Sequence, residues 1–407
     1  MSDKKKRHLR LKEFKLNTLL EITKAINNNL SAKKLFGLYE YVVINQLEIG
    51  KVILFSNNGK SWECVLAHGV DGNEKRFAVE RDLMHIKDIT LIESSSKQHL
   101  NSFDVVIPVY HKSAPLAFLL LGDLDEQKIN ISPIIKHLPF IQVLTNIIIV
   151  AIENKRLARE HIRQAKVEKE LELAHQMQSM LFPEKLPDNS QLQIDAVYQP
   201  HQQVGGDYYD FIEMNENEVL FCVADVSGKG VSAALLMANF QANLRAMAAY
   251  KNSLVEIVFE LNRKVMDNAK GEKFITLFIA KYNLKTRMLK YVNAAHNPPL
   301  LNNNNNNTLQ LQTGSTGLGM FDKIPSIEQG EIKVEKNSIL VCYTDGVIEL
   351  ENEKEEPFGM QKLKDMIENN SDKSMKELNK KISDSLAEYK GTMPYIDDIA
   401  LFSVRFR

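Results

Sequence analysis

Val219-Leu220-Phe221-Cys222-Val223-Ala224 runs directly into Asp225, followed by Ser227-Gly228-Lys229-Gly230. A strand with no polar face is covered on both sides. The same construction returns at Ser338-Ile339-Leu340-Val341-Cys342-Tyr343-Thr344, which meets Asp345-Gly346. Phe274 to Ala280 is also apolar on both faces, and a short link at Lys281 to Arg287 turns it into Met288 to Ala295. Helical spacing occupies Val231 to Tyr250, Leu254 to Asn268, Gln361 to Glu368 and Lys373 to Tyr389. Antiparallel sheets packed face to face, with helices outside, satisfy this pattern.

Two further acidic clusters bracket those strands: Gly205-Gly206-Asp207-Tyr208-Tyr209-Asp210 and Tyr395-Ile396-Asp397-Asp398. Carboxylates fixed at strand ends, beside glycines that let backbone approach closely, suit hard divalent cations. If these strands are neighbours, four carboxylates meet at one sheet end. Unpaired, they repel by several kcal/mol even at an effective dielectric of roughly 20. They must be protonated, paired or spread apart, and no Arg or Lys cluster adjoins them in sequence. Singly, each aspartate also reads as a cap or turn: Asp225 before the Val231 helix, Asp345-Gly346 as a turn, Asp207 or Asp210 at a strand entry. Taken together they point to a two-metal phosphoryl hydrolase.

The remaining features set the frame. A chain of 407 residues accommodates two or three domains. A net charge of −1 gives no global pull toward nucleic acid or membrane. The basic stretch Lys4 to Arg10 reads as a solvated helix start. The start of the chain carries no apolar signal core, and the apolar run Phe140 to Ile152 is too short to span a bilayer. Cys64, Cys222 and Cys342 are scattered, as in a reducing compartment, so a cytoplasmic location is expected.

Three segments follow: 13–152, 153–189 and 190–407. The first alternates a helix (Phe14 to Asn28), strands near Lys51–Phe55 and Trp62–Ala67 around Asn57-Asn58-Gly59, a hairpin from Val105–Tyr110 to Leu116–Gly122, and a helix from Ile134 to Leu157. Its Ile107-Pro108-Val109 strand, Leu120-Leu121-Gly122-Asp123 strand end and closing Ala151-Ile152-Glu153-Asn154-Lys155-Arg156-Leu157 helix resemble a GAF sensory domain. Residues 153–182 read as one helix with Leu171, Ala174, Gln178 and Leu181 on a coiled-coil-like seam. Asn302 to Asn307 is a low-complexity hairpin tip.

The ordered set Gly-Gly-Asp-Tyr-Tyr-Asp (205–210), Ala-Asp-Val-Ser-Gly-Lys-Gly (224–230), Asn-Ala-Ala-His-Asn-Pro-Pro-Leu (293–300), Tyr-Thr-Asp-Gly-Val-Ile-Glu (343–349) and Asp-Asp-Ile-Ala (397–400) resembles the PPM (protein phosphatase 2C-like) family. The branch is that of stage II sporulation protein E and the sigma-factor-regulating phosphatases. The resemblance implies an α+β chain, with an αββα sandwich phosphatase domain after the GAF-like domain and helical linker. It implies two Mn²⁺ or Mg²⁺ ions, with Asp225 bridging and the Val226 carbonyl, Asp207, Asp345 and Asp397 completing the set. Asp397 is preferred to Asp398 because the family's ligand is the first of that pair. Asp207 and Asp225 then serve catalysis, with water between the metals as the nucleophile on a phosphoserine or phosphothreonine. The implied substrate is a phosphorylated STAS-type anti-anti-sigma protein, and the implied assembly a homodimer through the GAF-like domain and linker. Two departures stand out: Ala400 replaces the usual Thr, and Ala295 the usual Gly. Lys229 reads as a phosphate neighbour or a solvated turn residue, and His296 as a turn or packing residue, with a general acid as the minority reading. Two rival readings remain. One is a phosphatase-like partner switch without turnover. The other is a nucleotide cyclase, since Gly205-Gly206-Asp207 resembles the Gly-Gly-Asp-Glu-Phe signature of diguanylate cyclases.

Overall fold

The computed structural model describes residues 3–71, 78–92, 102–122, 133–303 and 307–407. Asp123 of the expected strand end and positions 304–306 of the asparagine run lie outside the described residues. The chain divides into two compact units, Met1–Ala165 and Lys166–Arg407. The boundary falls inside the segment read from sequence as the linker.

The first unit opens with α1 (Asp3–Asn27), which starts well before the Phe14 expected from apolar spacing, and α2 (Ala32–Glu40), which continues into a π-helical turn at Tyr41–Gln46. Sequence reading missed α2, although Ser31 caps it by accepting a hydrogen bond from the Lys34 N–H. Five strands follow: β1 (Lys51–Asn57), β2 (Trp62–His68), β3 (Thr90–Leu91), β4 (Val105–His111) and β5 (Ala114–Gly122), with the short α3 (Val79–Asp82) before β3. They form one antiparallel sheet in the order β2-β1-β5-β4-β3. Alternation along β1 and β5 sends Val52, Leu54, Leu119 and Leu121 into a core with Tyr39, Ile141, Leu144 and Ile148. Ile53, Phe55, Phe118 and Leu120 face Val79 and Leu83 on the other side.

A single helix, α4 (Pro133–Ser179), replaces the two helical stretches read from sequence. By length and composition it could cross a membrane. Its apolar residues Ile141, Leu144 and Ile148 instead fill the core of the first unit. Beyond Leu157 its composition turns to Glu, Lys, Arg and Gln, and most of its surface is exposed.

The second unit is a four-layer αββα sandwich. One sheet contains β7 (Tyr208–Asn215), β8 (Glu218–Val226), β9 (Ile275–Asn283), β10 (Met288–Ala294) and the short β13 (Gly314–Ser315), ordered β13-β10-β9-β8-β7, with β14 (Gly330–Lys333) also on β10. The other contains β6 (Leu192–Gln199), β11 (Leu300–Asn303), β12 (Asn307–Gln310), β15 (Ile339–Tyr343) and β16 (Ile399–Phe406), ordered β12-β11-β15-β16-β6. The doubly apolar strands explain the layers. Leu220, Cys222 and Ala224 of β8 face α5 (Val231–Ala248) and α6 (Leu254–Ala269), while Val219, Phe221 and Val223 face the opposite sheet. Leu340 and Cys342 of β15 point into the same inter-sheet core, where Phe221 stacks on Phe402 at 5.7 Å. Ile339, Val341 and Tyr343 face α8 (Met360–Asn369) and α9 (Met375–Lys390). Burying each such side chain contributes about 1.5–3 kcal/mol. A capping box of Ser374 and Glu377 sets where α9 starts.

Candidate metal centre

Register brings the candidate carboxylates to one end of the sandwich. In the β7–β8 ladder Tyr208 pairs with Ala224, so continuing it by one residue sets Asp207 opposite Asp225. In the other sheet Tyr343 pairs with Leu401, which places Asp345, at the start of the short α7 (Asp345–Ile348), beside the Asp397-Asp398 entry to β16. Gly206 makes the close approach possible. A Cβ there would lie 2.9 Å from the Val226 carbonyl oxygen, so the chain just before Asp207 can pass this carbonyl only without a side chain.

The electrostatics report the crowding. Burial pushes the Asp207 carboxyl well above the usual carboxylate range, and the neighbouring Asp225 and Asp398 charges add to the effect. Asp225 is pushed up to about 7, first by burial and then by Asp345, with Asp397 and Asp398 contributing. Asp345 is raised as well, by burial, Asp397 and Glu349. Asp207 and Asp225 lie within hydrogen-bonding reach of each other. The direction is upward for both, because one proton held between them relieves the repulsion.

Three contacts relieve the repulsion among the carboxyls. Asp397 pairs with the Lys229 ammonium at 2.9 Å, and that ammonium also donates to the Ile396 carbonyl. Asp398 turns inward and accepts from the backbone N–H groups of His201 at 2.7 Å and Gly206 at 2.6 Å. Asp207 lies within hydrogen-bonding reach of Asp225, and the Thr344 hydroxyl also lies in reach. Among the described residues, no three Asp, Glu, His or Cys side chains are drawn close enough to grip one ion unaided. The carboxyls ring a cleft instead.

This donor set fits a hard divalent cation. Its side chains offer carboxylate oxygens, the Val226 carbonyl lies alongside, and Asp207 Oδ2 is buried without a hydrogen-bond partner. A buried, unpartnered carboxylate oxygen is costly unless something positive meets it. Asp398 is a poorer candidate than Asp397 because both its oxygens already hold backbone amides.

Other motif residues fall elsewhere. Asp210 is fully buried and gripped by Arg245 through two hydrogen bonds of 2.8 Å each, with the Tyr208 hydroxyl donating at 2.5 Å. It anchors α5 to β7 and takes no part in the cleft. Tyr208, where a cyclase would carry Glu, is buried in that network, so the cyclase reading loses its footing. His296 is buried, bonded to Thr276 at 2.8 Å, and pushed down to about 4 by burial. It is neutral at ordinary pH and has no proton to give as an acid. Ala400 lacks the hydroxyl of the usual Thr. Thr344, between the end of β15 and α7, carries one instead, which accepts from the Ala400 N–H at 2.9 Å and lies in reach of Asp207. Sequence reading missed Thr344, the inward role of Asp398, and Tyr198, whose buried hydroxyl has no partner. Burial and the Asp398, Asp207 and Asp225 charges keep that phenol protonated.

Comparison with known proteins bears on the fold and family of this unit. Residues 215–407 match the family described as Stage II sporulation protein E (SpoIIE). Phosphoserine phosphatase RsbU of Bacillus subtilis (strain 168) is 31% identical over 246 residues, spanning 60% of this chain and 71% of RsbU. The chain belongs to the SpoIIE family of PP2C-type phosphatases. Phosphoserine phosphatase RsbP of the same organism is 26% identical, over 56% of each chain. The SiaA-PP2C domain of Pseudomonas aeruginosa matches in fold, with a TM-score of 0.54 at 22% identity, covering 60% of this chain and 99% of that domain. Membership makes the chain a phosphatase, a hydrolase of a class that depends on metal ions. The carboxylate cleft of this SpoIIE-type unit is therefore the candidate active site.

Proposed function

We propose that the chain hydrolyses phosphoserine or phosphothreonine on a small STAS-type regulatory protein, using two Mn²⁺ or Mg²⁺ ions and under control of its N-terminal unit. One observation carries the catalytic part: five aspartates from two sheets surround one cleft, with a buried unpartnered oxygen on Asp207. Asp207, Asp225, Asp345, Asp397 and the Val226 carbonyl are the residues that hold the ions. Bound divalent cations acidify water and neutralise charge on phosphoryl oxygens. The chain's own part is positional. Asp398 fixes the backbone of Gly206 and His201, Thr344 orients Asp207, and Lys229 supplies a positive charge at the cleft rim. No thiol is available for a covalent route there, because Cys222 and Cys342 are buried and burial pushes both thiols up.

The names of RsbU and RsbP support phosphoserine as the substrate group. The α+β topology of the first unit supports the GAF-like reading. A cavity of about 380 Å³, floored by Phe36, Val65, Leu116 and Ile149 and rimmed by Glu153 and Arg156, supports a sensory role. The apolar seam residues Leu171 and Ala174 of α4 support a homodimer contact, and the free cysteines a reducing, cytoplasmic setting. Purified full-length chain should release phosphate from p-nitrophenyl phosphate and from a phosphorylated STAS protein with Mn²⁺, and not with chelator. Turnover that persists in chelator would overturn the metal assignment. Hydrolysis of the small ester without the protein substrate would overturn the STAS assignment alone.

A further inference from the structure

We propose that Gln178, in the last turn of α4, is a positioning residue for the metal centre: its amide fixes the Gly205 peptide and so sets where Asp207 enters the cleft. Gln178 Nε2 donates to the Gly205 carbonyl at 2.7 Å, and its Oε1 accepts from the Gly205 N–H at 3.2 Å. One side-chain amide thus holds both polar groups of one residue, which fixes orientation as well as distance. Gln178 is 5% exposed, whereas its neighbours Met177 and Met180 are 66% and 71% exposed. A polar side chain buried here beside exposed methionines reverses the usual preference, and its hydrogen bonds account for it.

The contact leads straight to the cleft. The next residue, Gly206, donates to Asp398 Oδ2 at 2.6 Å and packs its bare Cα on the Val226 carbonyl. Asp207 follows. Gly205 has no slack, since a Cβ there would fall 2.1 Å from Tyr198 Oη and 2.3 Å from Asp398 Oδ2. Phe182, just past the helix, lies 4.8 Å from the Tyr198 ring, 5.7 Å from Tyr208 and 4.9 Å from Tyr209, so the helix end is also locked by aromatic packing. A turn of α4 about its axis therefore carries the Gly205 peptide with it, two residues from a candidate ligand. This inference rests on the reading of the aspartate cleft as a cation site.

The test uses the full chain with Gln178→Met, which keeps the length and loses both hydrogen bonds, and Gln178→Glu, which keeps the acceptor and loses the donor. Mn²⁺ binding is measured by calorimetry, amide hydrogen exchange by mass spectrometry, and phosphate release across a Mn²⁺ series. Gln178→Met is expected to weaken Mn²⁺ binding about 10- to 100-fold, the range seen when groups that orient ligands are lost. The 205–207 amides should exchange at least about tenfold faster, while β8 and β9 keep their protection and kcat at saturating Mn²⁺ stays within about threefold. Gln178→Glu should fall between. Unchanged Mn²⁺ affinity in Gln178→Met overturns the proposal, and so does loss of protection throughout β8 and β9, which would make the residue merely structural. Wild-type chain that binds no Mn²⁺ overturns the cation reading beneath it, a different failure from wild-type binding that the variant leaves intact.

Discussion

Asp225→Asn should stabilise the metal-free protein while abolishing its metal-dependent turnover. Asp225 is pushed up to about 7 from 3.8, a separation of roughly 3 units at 1.36 kcal/mol each. Its charge thus costs the folded state about 4 kcal/mol where it is fully ionised. The sign follows from proton uptake. A carboxylate with a raised folded pKa binds more protons folded than unfolded between about 4 and 7. The penalty is complete above 7 and vanishes below about 4. The Asn amide brings a desolvation cost of about 1–2 kcal/mol, leaving a net gain of ~2 kcal/mol at pH 8. For a unit of this size that gain raises Tm by about 4–8 °C. Thermal unfolding in chelator at pH 8 and pH 4, beside Mn²⁺-dependent hydrolysis of p-nitrophenyl phosphate, reads both effects. A variant no more stable than wild type at pH 8, or equally stabilised at both pH values, would refute the electrostatic reasoning. Wild-type turnover would refute the catalytic role.

Other outcomes can be checked directly. Ala295 is exposed and sits at φ +55°, so Ala295→Gly should gain about 0.5–1 kcal/mol, read as a higher urea midpoint. Arg245→Ala leaves the fully buried Asp210 without its cation. Removing one partner of a buried pair costs ~3–5 kcal/mol, and the partial exposure of Arg245 lowers this to about 2–3, measured by the same unfolding assay. His296 is pushed down to about 4 by burial. Its ring NMR signals should therefore hold still from pH 8 to about 5.5, and its stabilising neutrality should be lost as pH falls through 6.5 toward 4.

The layers of the second unit were legible because β8, β9 and β15 carry apolar residues on both faces, and only a strand between two covered surfaces does so. The gathering of Asp207, Asp225, Asp345 and Asp397 was legible from their places at strand ends, since antiparallel neighbours bring alternate ends together. What escaped sequence reading depends on distant partners. Lys229 and Asp397 are 168 positions apart, and nothing local to either announces the pair. Asp398 looks like a second ligand until its two backbone donors are seen. Gln178 looked like one more seam residue of a polar helix, and only the fold shows Gly205 waiting beneath it. The short strands β11 to β14 and the helix α2 lacked enough periodic residues to stand out, and tertiary packing completes them.

Sulfur stays out of reach of this cleft. Cys222 and Cys342 lie in the middle of facing strands, fully covered and protonated. Peroxide attacks thiolates, and neither residue presents one. Phosphatases that work through a reactive cysteine fall silent when a cell is oxidised. A hydrolase relying on aspartates has no thiolate at its centre for peroxide to attack.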